Sequence, residues 1–248
     1  MYEDQNGKCA TCQGKLSNRL FSRWFRCRYT GALYCPNCHD MQKRPMPWRL
    51  VGDLNPRPSY VCRFAQEYLD NLALVPMLSM DRLRPGFPVG SPGFEDIHQL
   101  RKRLAKAKVF LSKCHEGERV VNAYLAQHDT HNDRQHLLKD GPMLYMYSLR
   151  DLVQGIDGRL IKWLRECFDT IVKHKDTCER CKARGTVCGI CQLTSPDKLL
   201  FPFGQPKTVS RCPGCLALYH RKCITEGACR KCAAVEEDRL RRREGKTN

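Results

Sequence analysis

Apolar residues recur at helical spacing through the middle of the chain. Val61, Phe64, Tyr68, Leu69, Leu72 and Val75 predict a helix over 61–78, ended by Pro76. Leu100, Leu104, Ala107, Phe110, Leu111 and Cys114 predict the buried face of a second, long helix running from Glu95 towards Gln127, with a bend at Gly117. Arg101, Lys102, Arg103, Lys106 and Lys108 fall on its other side and read as a solvated face. Ser148 has the character of an N-cap before Leu149-Arg-Asp-Leu152, and Leu160, Trp163, Leu164, Cys167, Phe168 and Ile171 mark a further amphipathic helix that leads to Cys178.

Between these segments the pattern breaks. Residues 41–60 hold four prolines with Gly52 and Asn55, which predicts an extended connector anchored by Trp48. Residues 84–94 are a Pro/Gly loop, and 128–142 a polar connection whose histidines, His128, His131 and His136, read as loop residues. Leu199–Phe203 reads as a short apolar strand-like piece packed on the helices, and Cys62 as a buried structural thiol. Beyond Cys232 the tail is charged.

Cysteine changes this picture of a helical domain. The chain of 248 residues holds 17 cysteines, and ten soft ligands fall between Cys178 and Cys232 in the order C-x2-C-x6-C-x2-C-x20-C-x2-C-x4-H-x2-C-x5-C-x2-C. A C-x2-C turn aims two thiolates at one tetrahedral ion, so paired steps at this density read as zinc sites. The competing reading is a disulfide framework. An odd cysteine count and a start, MYEDQNGKC, without signal-peptide character favour zinc in a reducing cytosol or nucleus. The last four pairs have the order of a cross-braced PHD- or RING-like finger. Cys188, Cys191, His220 and Cys223 then share one ion, and Cys212, Cys215, Cys229 and Cys232 a second. Protein fills all four positions of each, so neither ion keeps an open place for catalysis.

A second cluster lies near the start. Cys27-x2-Thr30-Gly31-x3-Cys35-x2-Cys38 resembles the middle of a FYVE finger with Thr30 in place of a cysteine. Cys9, Cys12, Cys35 and Cys38 close one site under that reading. Cys27, Cys178 and Cys181 are left over, and they predict a fourth zinc completed by His174 or His39, tying the two ends of the chain together. A local site of Cys178, Cys181, Cys188 and Cys191 is the alternative, and His39 reads equally well as a solvated residue.

The net charge of +17 favours an acidic partner: a phosphoinositide membrane, an acidic protein face or nucleic acid. No run of 18 apolar residues predicts a membrane span. The basic residues Arg19, Arg23, Arg26 and Arg28 suit an anionic leaflet, but Phe25 and Arg26 stand where FYVE fingers carry a histidine pair, which argues against specific recognition of phosphatidylinositol 3-phosphate. Base-stacking aromatics are not interleaved with the basic residues, which disfavours nucleic acid.

In order, a FYVE-like half-finger, a helical middle and the run C-E-R-C-K-A-R-G-x-V-C-x-x-C, F-P-F, C-x2-C-x4-H-x2-C and C-x-x-C resemble the Rubicon-homology (RH) domain family. Y145-M-Y-S-L-R-D-L152 and the connector around Pro47 are similar to that family as well. The last pair departs from it in lacking Pro after Cys229. The resemblance implies a mainly α, zinc-stabilised domain of about four zinc clusters, and the segments divide as a FYVE-like subdomain over 1–45, a helical one over 46–175, a multi-zinc one over 176–235 and a tail over 236–248. It further implies a non-enzymatic effector. Such a domain binds a GTP-loaded late-endosomal Rab GTPase of the Rab-seven class and takes its parent protein to late endosomes, lysosomes, the vacuole or autophagosomes in autophagy and endolysosomal trafficking. Its contact surface is expected on the helical middle and the adjoining C-terminal fingers. Two other readings are a RING-type ubiquitin ligase, with Ile190 as the residue facing a conjugating enzyme, and a FYVE-like phosphoinositide-binding module.

Overall fold

The computed structural model describes residues 2–16, 23–128, 134–224 and 229–244. Arg19, His131 and the last four tail positions lie outside them. The described chain is mostly helical, with four two-stranded antiparallel ribbons. In order it runs β1 (Phe25–Arg26), β2 (Leu33–Tyr34), β3 (Lys43–Pro45), α1 (Pro47–Asp53), β4 (Pro58–Tyr60), α2 (Arg63–Leu72), β5 (Leu78–Ser79), α3 (Met80–Leu83), α4 (Phe94–Leu111) and α5 (His115–His128). It continues through two 3-10 turns to β6 (Met146–Tyr147), α6 (Leu149–Ile156), α7 (Arg159–Thr177) and α8 (Glu179–Lys182), then β7 (Val209–Arg211), β8 (Leu218–His220), α9 (Arg221–Ile224) and α10 (Arg230–Glu244).

Two compact units share these elements: Met1–Gln99 with Asp133–Leu137 and Gly141–Leu164, and Leu100–Asn132 with Leu138–Asp140 and Arg165–Asn248. The core of the first holds Met46, Leu50, Val61, Ala65, Leu69, Phe94, Ile97, Tyr147 and Leu152, all buried. Phe87, Phe94 and Tyr147 form its aromatic centre, with ring centroids 5.2–5.8 Å apart in tilted and edge-on geometry. A Cβ on Gly155 of α6 would stand 2.5 Å from Cζ of Phe94, so only glycine lets that helix approach the ring.

Helix α6 begins as its sequence dictates. Ser148 Oγ accepts the Asp151 backbone N–H at 3.1 Å, and Asp151 Oδ2 accepts the Ser148 backbone N–H at 2.7 Å, a reciprocal capping box. Ser148→Ala removes this cap, and we expect it to lower unfolding free energy by about 1–2 kcal/mol, read by urea denaturation.

In the second unit, Phe110 of α4 meets Phe203 at 5.3 Å and Phe201 at 5.7 Å, and Phe168 of α7 meets Phe203 at 6.2 Å. Leu200 pairs with Thr186 in an isolated bridge. The apolar 199–203 segment thus packs on helices, as its composition suggests.

The structure departs from the sequence pattern at several points. The 41–60 segment is not wholly extended: Pro47 starts α1, since its fixed φ suits a first helical position, and Leu54 at φ 50° ends it. Trp48 is no buried anchor but 50% exposed, while Met46 and Leu50 are buried in its place. The helix read over 61–78 is the shorter α2, in which Ala65 and Leu69 face the core and Phe64 and Tyr68 face outward. The long helix read from Glu95 is two helices, broken at 112–114 ahead of Gly117.

The basic side of α4 is not a solvated face either. Arg101 is fully buried, and Arg103 lies 4.2 Å over the Phe168 ring and donates to the Phe203 carbonyl at 3.1 Å. Planar guanidinium groups stack on aromatic faces while hydrogen-bonding at their edge, so these arginines pack as core-lining groups. His136 is likewise no loop histidine: it is buried against Asp151, with Nε2 and Oδ2 2.8 Å apart.

Candidate metal centres

Among the described residues four groups of soft ligands converge, each with its ligand atoms within 4.8 Å of one another: Cys9, Cys12, Cys35 and Cys38; Cys114, His174, Cys178 and Cys181; Cys188, Cys191, His220 and Cys223; Cys212, Cys215, Cys229 and Cys232. A zinc ion with Zn–S bonds of about 2.3 Å and Zn–N bonds of about 2.0–2.1 Å sets tetrahedral S–S edges of about 3.8 Å and S–N edges of about 3.6 Å. The clusters can be tested against these edges.

The first cluster is built from two tight turns. Gln13 takes a left-handed conformation at φ 58° and donates its N–H to the Cys9 carbonyl at 3.0 Å, while Cys38 N–H closes on the Cys35 carbonyl at 3.0 Å. Cys12 Sγ and Cys35 Sγ come to 3.7 Å, and Cys9 Sγ accepts the Cys35 N–H at 3.4 Å. Strands β1 and β2, with Phe25 opposite Tyr34, lead the chain into the second of these turns.

In the second cluster, Cys114 sits in the break between α4 and α5, His174 in the last turn of α7, and Cys178 and Cys181 at either end of the first turn of α8. Cys114 Sγ lies 3.5 Å from His174 Nε2 and 3.9 Å from Cys178 Sγ, and Cys181 Sγ lies 3.5 Å from the same nitrogen. Those are the edges of a tetrahedral ZnS3N site. Gly117 makes room for it, since a Cβ there would meet Leu111 Cδ2 at 2.9 Å and His174 Nε2 at 3.0 Å. Gly117→Val is expected to displace His174 and cost this site its ion, leaving three metals per chain by elemental analysis.

The last two clusters interleave along the chain. Their knuckles hang on the β7–β8 ribbon, where Val209 pairs with His220 and Arg211 with Leu218. His220 Nδ1 lies 3.3 Å from Cys191 Sγ and 3.9 Å from Cys223 Sγ. Its Nε2 lies 3.0 Å from the Lys198 carbonyl; a carbonyl only accepts, so the proton is on Nε2 and the Nδ1 lone pair points at the thiols. In the fourth cluster, Cys212–Cys232 and Cys215–Cys229 sulfur pairs stand at 3.5 Å and 3.4 Å, and the Tyr219 hydroxyl lies 3.0 Å from Cys229 Sγ. Gly214 gives this cluster room, since a Cβ would stand 3.1 Å from Cys232 Sγ.

The thiols in each cluster compete for ionisation. Burial opposes the ionisation of Cys9, but N–H donors from Cys12, Cys35 and Thr11 bring it down to about 6, whereas burial and the neighbouring thiols push Cys38 up to about 12. The same split holds for Cys114, lowered to about 6 first by the Gly117 N–H, against Cys181, raised by burial to about 12. It holds again for Cys188 at about 6 against Cys223 at about 11, and for Cys229 at about 6, lowered first by Tyr219, against Cys232 at about 12. Several thiolates cannot share so small a space unless a cation neutralises them. The donor set, the edges and the hydrogen bonds to sulfur therefore fit a divalent soft-ligand metal. Every position is filled by protein.

The structure brings together all ten ligands read between Cys178 and Cys232, and adds His174 to them. Cys27 and His39 stand elsewhere. Cys27 is buried, its Sγ accepting the Thr30 N–H at 3.5 Å, and it interacts with Cys62 beside Tyr34. His39 is buried, its Nδ1 accepts the Met41 N–H at 3.2 Å, and its ring packs on Phe25 and Tyr34. The ligand that sequence reasoning missed is Cys114, which its spacing placed on an apolar helical face. Cys27→Ala is expected to retain four metals per chain; loss of one would return Cys27 to the ligand set.

The chain matches the Rubicon Homology Domain model over residues 25–237, and it belongs to that family. It is 26% identical to protein associated with UVRAG as autophagy enhancer from Bos taurus over 93% of its own length, which is 33% of that protein. It is 28% identical to the differentially expressed in FDCP 8 homolog of Caenorhabditis elegans over 96% of its length and 48% of the relative's, and 28% identical to pleckstrin homology domain-containing family M member 3 of Xenopus laevis over 94% and 29%. The chain spans between about a third and a half of these relatives.

Proposed function

We propose that the four clusters hold structural zinc ions and that the domain is a non-enzymatic docking module for a GTP-loaded late-endosomal Rab GTPase of the Rab-seven class. On this reading the first cluster is a FYVE-like half-finger and the last two a PHD-like cross-braced pair. The module brings its parent protein to late-endosomal, lysosomal, vacuolar or autophagosomal membranes from the cytoplasm, in autophagy and endolysosomal trafficking. The carrying observation is that four closed clusters, with no ligand position left for substrate, sit in a chain of net charge +17 belonging to the RH family. The name of one relative, protein associated with UVRAG as autophagy enhancer, supports the cellular setting. No described helix is long and apolar enough to cross a membrane, which suits recruitment by a membrane-bound partner.

A RING-type ligase draws less support. Ile190, the residue that would face a conjugating enzyme, is partly buried against the finger core of Leu200, Tyr219 and the cysteines. The test of the proposal is retention of the purified domain on immobilised Rab of this class. Retention is expected with GTP loading and not with GDP, because the γ-phosphate orders the switch loops; equal retention of both forms would sink the effector reading.

A further inference from the structure

Helix α2 turns two aromatic rings away from the core. Val61, Ala65 and Leu69 are buried, whereas Phe64 is 62% and Tyr68 43% exposed. They do not stand singly. Phe64 stacks on Tyr68 at 6.3 Å and 19°, Tyr68 meets Tyr29 at 5.9 Å, and Tyr29 stacks on Trp48 at 6.3 Å and 24°. Trp48 itself is 50% exposed. Four rings from three separated stretches thus form one ladder on the surface of the first compact unit. No core packing requires it, and contiguous exposed aromatics mark interaction sites.

We infer that this ladder, Trp48–Tyr29–Tyr68–Phe64, is the surface that receives the switch face of the activated GTPase. The inference rests on the docking function proposed above and gives it a location. Three properties carry it. The rings are carried by α1, by α2 and by the turn after β1, and that turn is held by hydrogen bonds from Gly31 N to the Cys27 carbonyl and Arg28 N to the Tyr60 carbonyl. Rigid aromatics lose little freedom on binding, and Trp and Tyr dominate the energetic centres of protein interfaces.

Charge supplies the second property. Exposed Arg28 neighbours Tyr29 in sequence, and Arg63, 3.9 Å from Asp40, neighbours Phe64, against the carboxylate of Glu67 beside Tyr68, within a chain of net charge +17. An acidic, partly apolar protein face is the complement of such a surface. Third, the rings lie on helices and a closed turn and not on a projecting loop tip, which suits a folded partner better than insertion into a bilayer.

The experiment uses the whole domain with Trp48→Ala and Phe64→Ala, two exposed positions, and measures retention on Rab of the Rab-seven class loaded with GTP or GDP. Four metals per chain in each variant establish that the fold is kept. A tenfold or greater loss of GTP-dependent retention, with partial rescue by Trp48→Phe, is the expected result. Wild-type retention by both variants would overturn the ladder assignment and leave the effector function standing, the more so if the variants lose binding only to phosphatidylserine vesicles. If the wild-type domain itself fails to distinguish GTP from GDP, the effector reading falls and the ladder assignment with it.

Discussion

Replacing Cys114 by Ala is expected to leave three zinc ions per chain and to loosen α4, α5 and α7 together. Cys114 supplies the one ligand of its cluster that does not come from the 174–181 segment, so its sulfur is what joins the α4–α5 break to the end of α7. Without it only two thiolates and one imidazole remain, all from a single stretch, and nothing holds the break against them. Apparent binding free energies of structural zinc are about 10–16 kcal/mol at neutral pH and are folding energy where no preformed site exists. Losing one ion therefore costs an amount comparable to the whole stability of an ordinary domain, about 5–15 kcal/mol. The measurement pairs elemental analysis with hydrogen exchange. Four retained ions and unchanged protection over 100–128 would show that Cys114 is not a ligand, while Cys27→Ala serves as the buried-cysteine control.

The contrast between Cys114 and Cys27 shows what the sequence made legible. Where ligands come in local pairs, spacing marks them and a resemblance shares them out: the order of a cross-braced finger allots Cys188, Cys191, His220 and Cys223 to one site and Cys212, Cys215, Cys229 and Cys232 to another, and the likeness to a FYVE finger closes the first site, the same groups that converge in the structure. A ligand without a neighbouring partner leaves no such mark. Cys114 continues the i, i+3, i+4 apolar series of α4, so by period its thiol reads as another core contact, and only the helix break after Leu111 turns it to His174 and Cys178. Four cysteines, Cys27, Cys62, Cys114 and Cys167, lie outside the paired set, and elimination among them required knowing which are buried next to each other. Cys114 had one distinguishing signal: it is followed by His115-Glu116-Gly117, a glycine where a helix tolerates it only for a reason. The outward-facing aromatics were illegible for a related cause. At 61–75 both Ala65–Leu69 and Phe64–Tyr68 satisfy helical period, and period alone does not tell which pair faces the core.

Asp151→Ala is expected to destabilise the first compact unit by about 3–5 kcal/mol, more than the loss of the Ser148 cap alone, because it strands several buried partners at once. One oxygen, Oδ2, accepts from His136 Nε2 at 2.8 Å, from the Ser148 N–H at 2.7 Å and from Ser148 Oγ at 2.7 Å. Burial raises the proton affinity of this carboxyl, but the His136 and Ser148 bonds outweigh it, and the folded-state pKa is lowered. A carboxylate whose folded pKa lies below its unfolded value stabilises the fold above the unfolded pKa, about 3.9. That contribution disappears as pH falls through the depressed folded value. Thiolate ligands must also stay deprotonated, so acid removes the metals over a higher range and hides this window in the wild-type protein. The comparison therefore belongs at neutral pH with all four clusters loaded: urea unfolding of Asp151→Ala against Ser148→Ala, with metal content unchanged in both. Equal, small losses in the two variants would mean that the carboxylate does no more than cap α6. A larger loss for Asp151→Ala that shrinks when His136→Phe is added would show that stranding His136 carries the difference, because that second change removes the buried partner left unpaired.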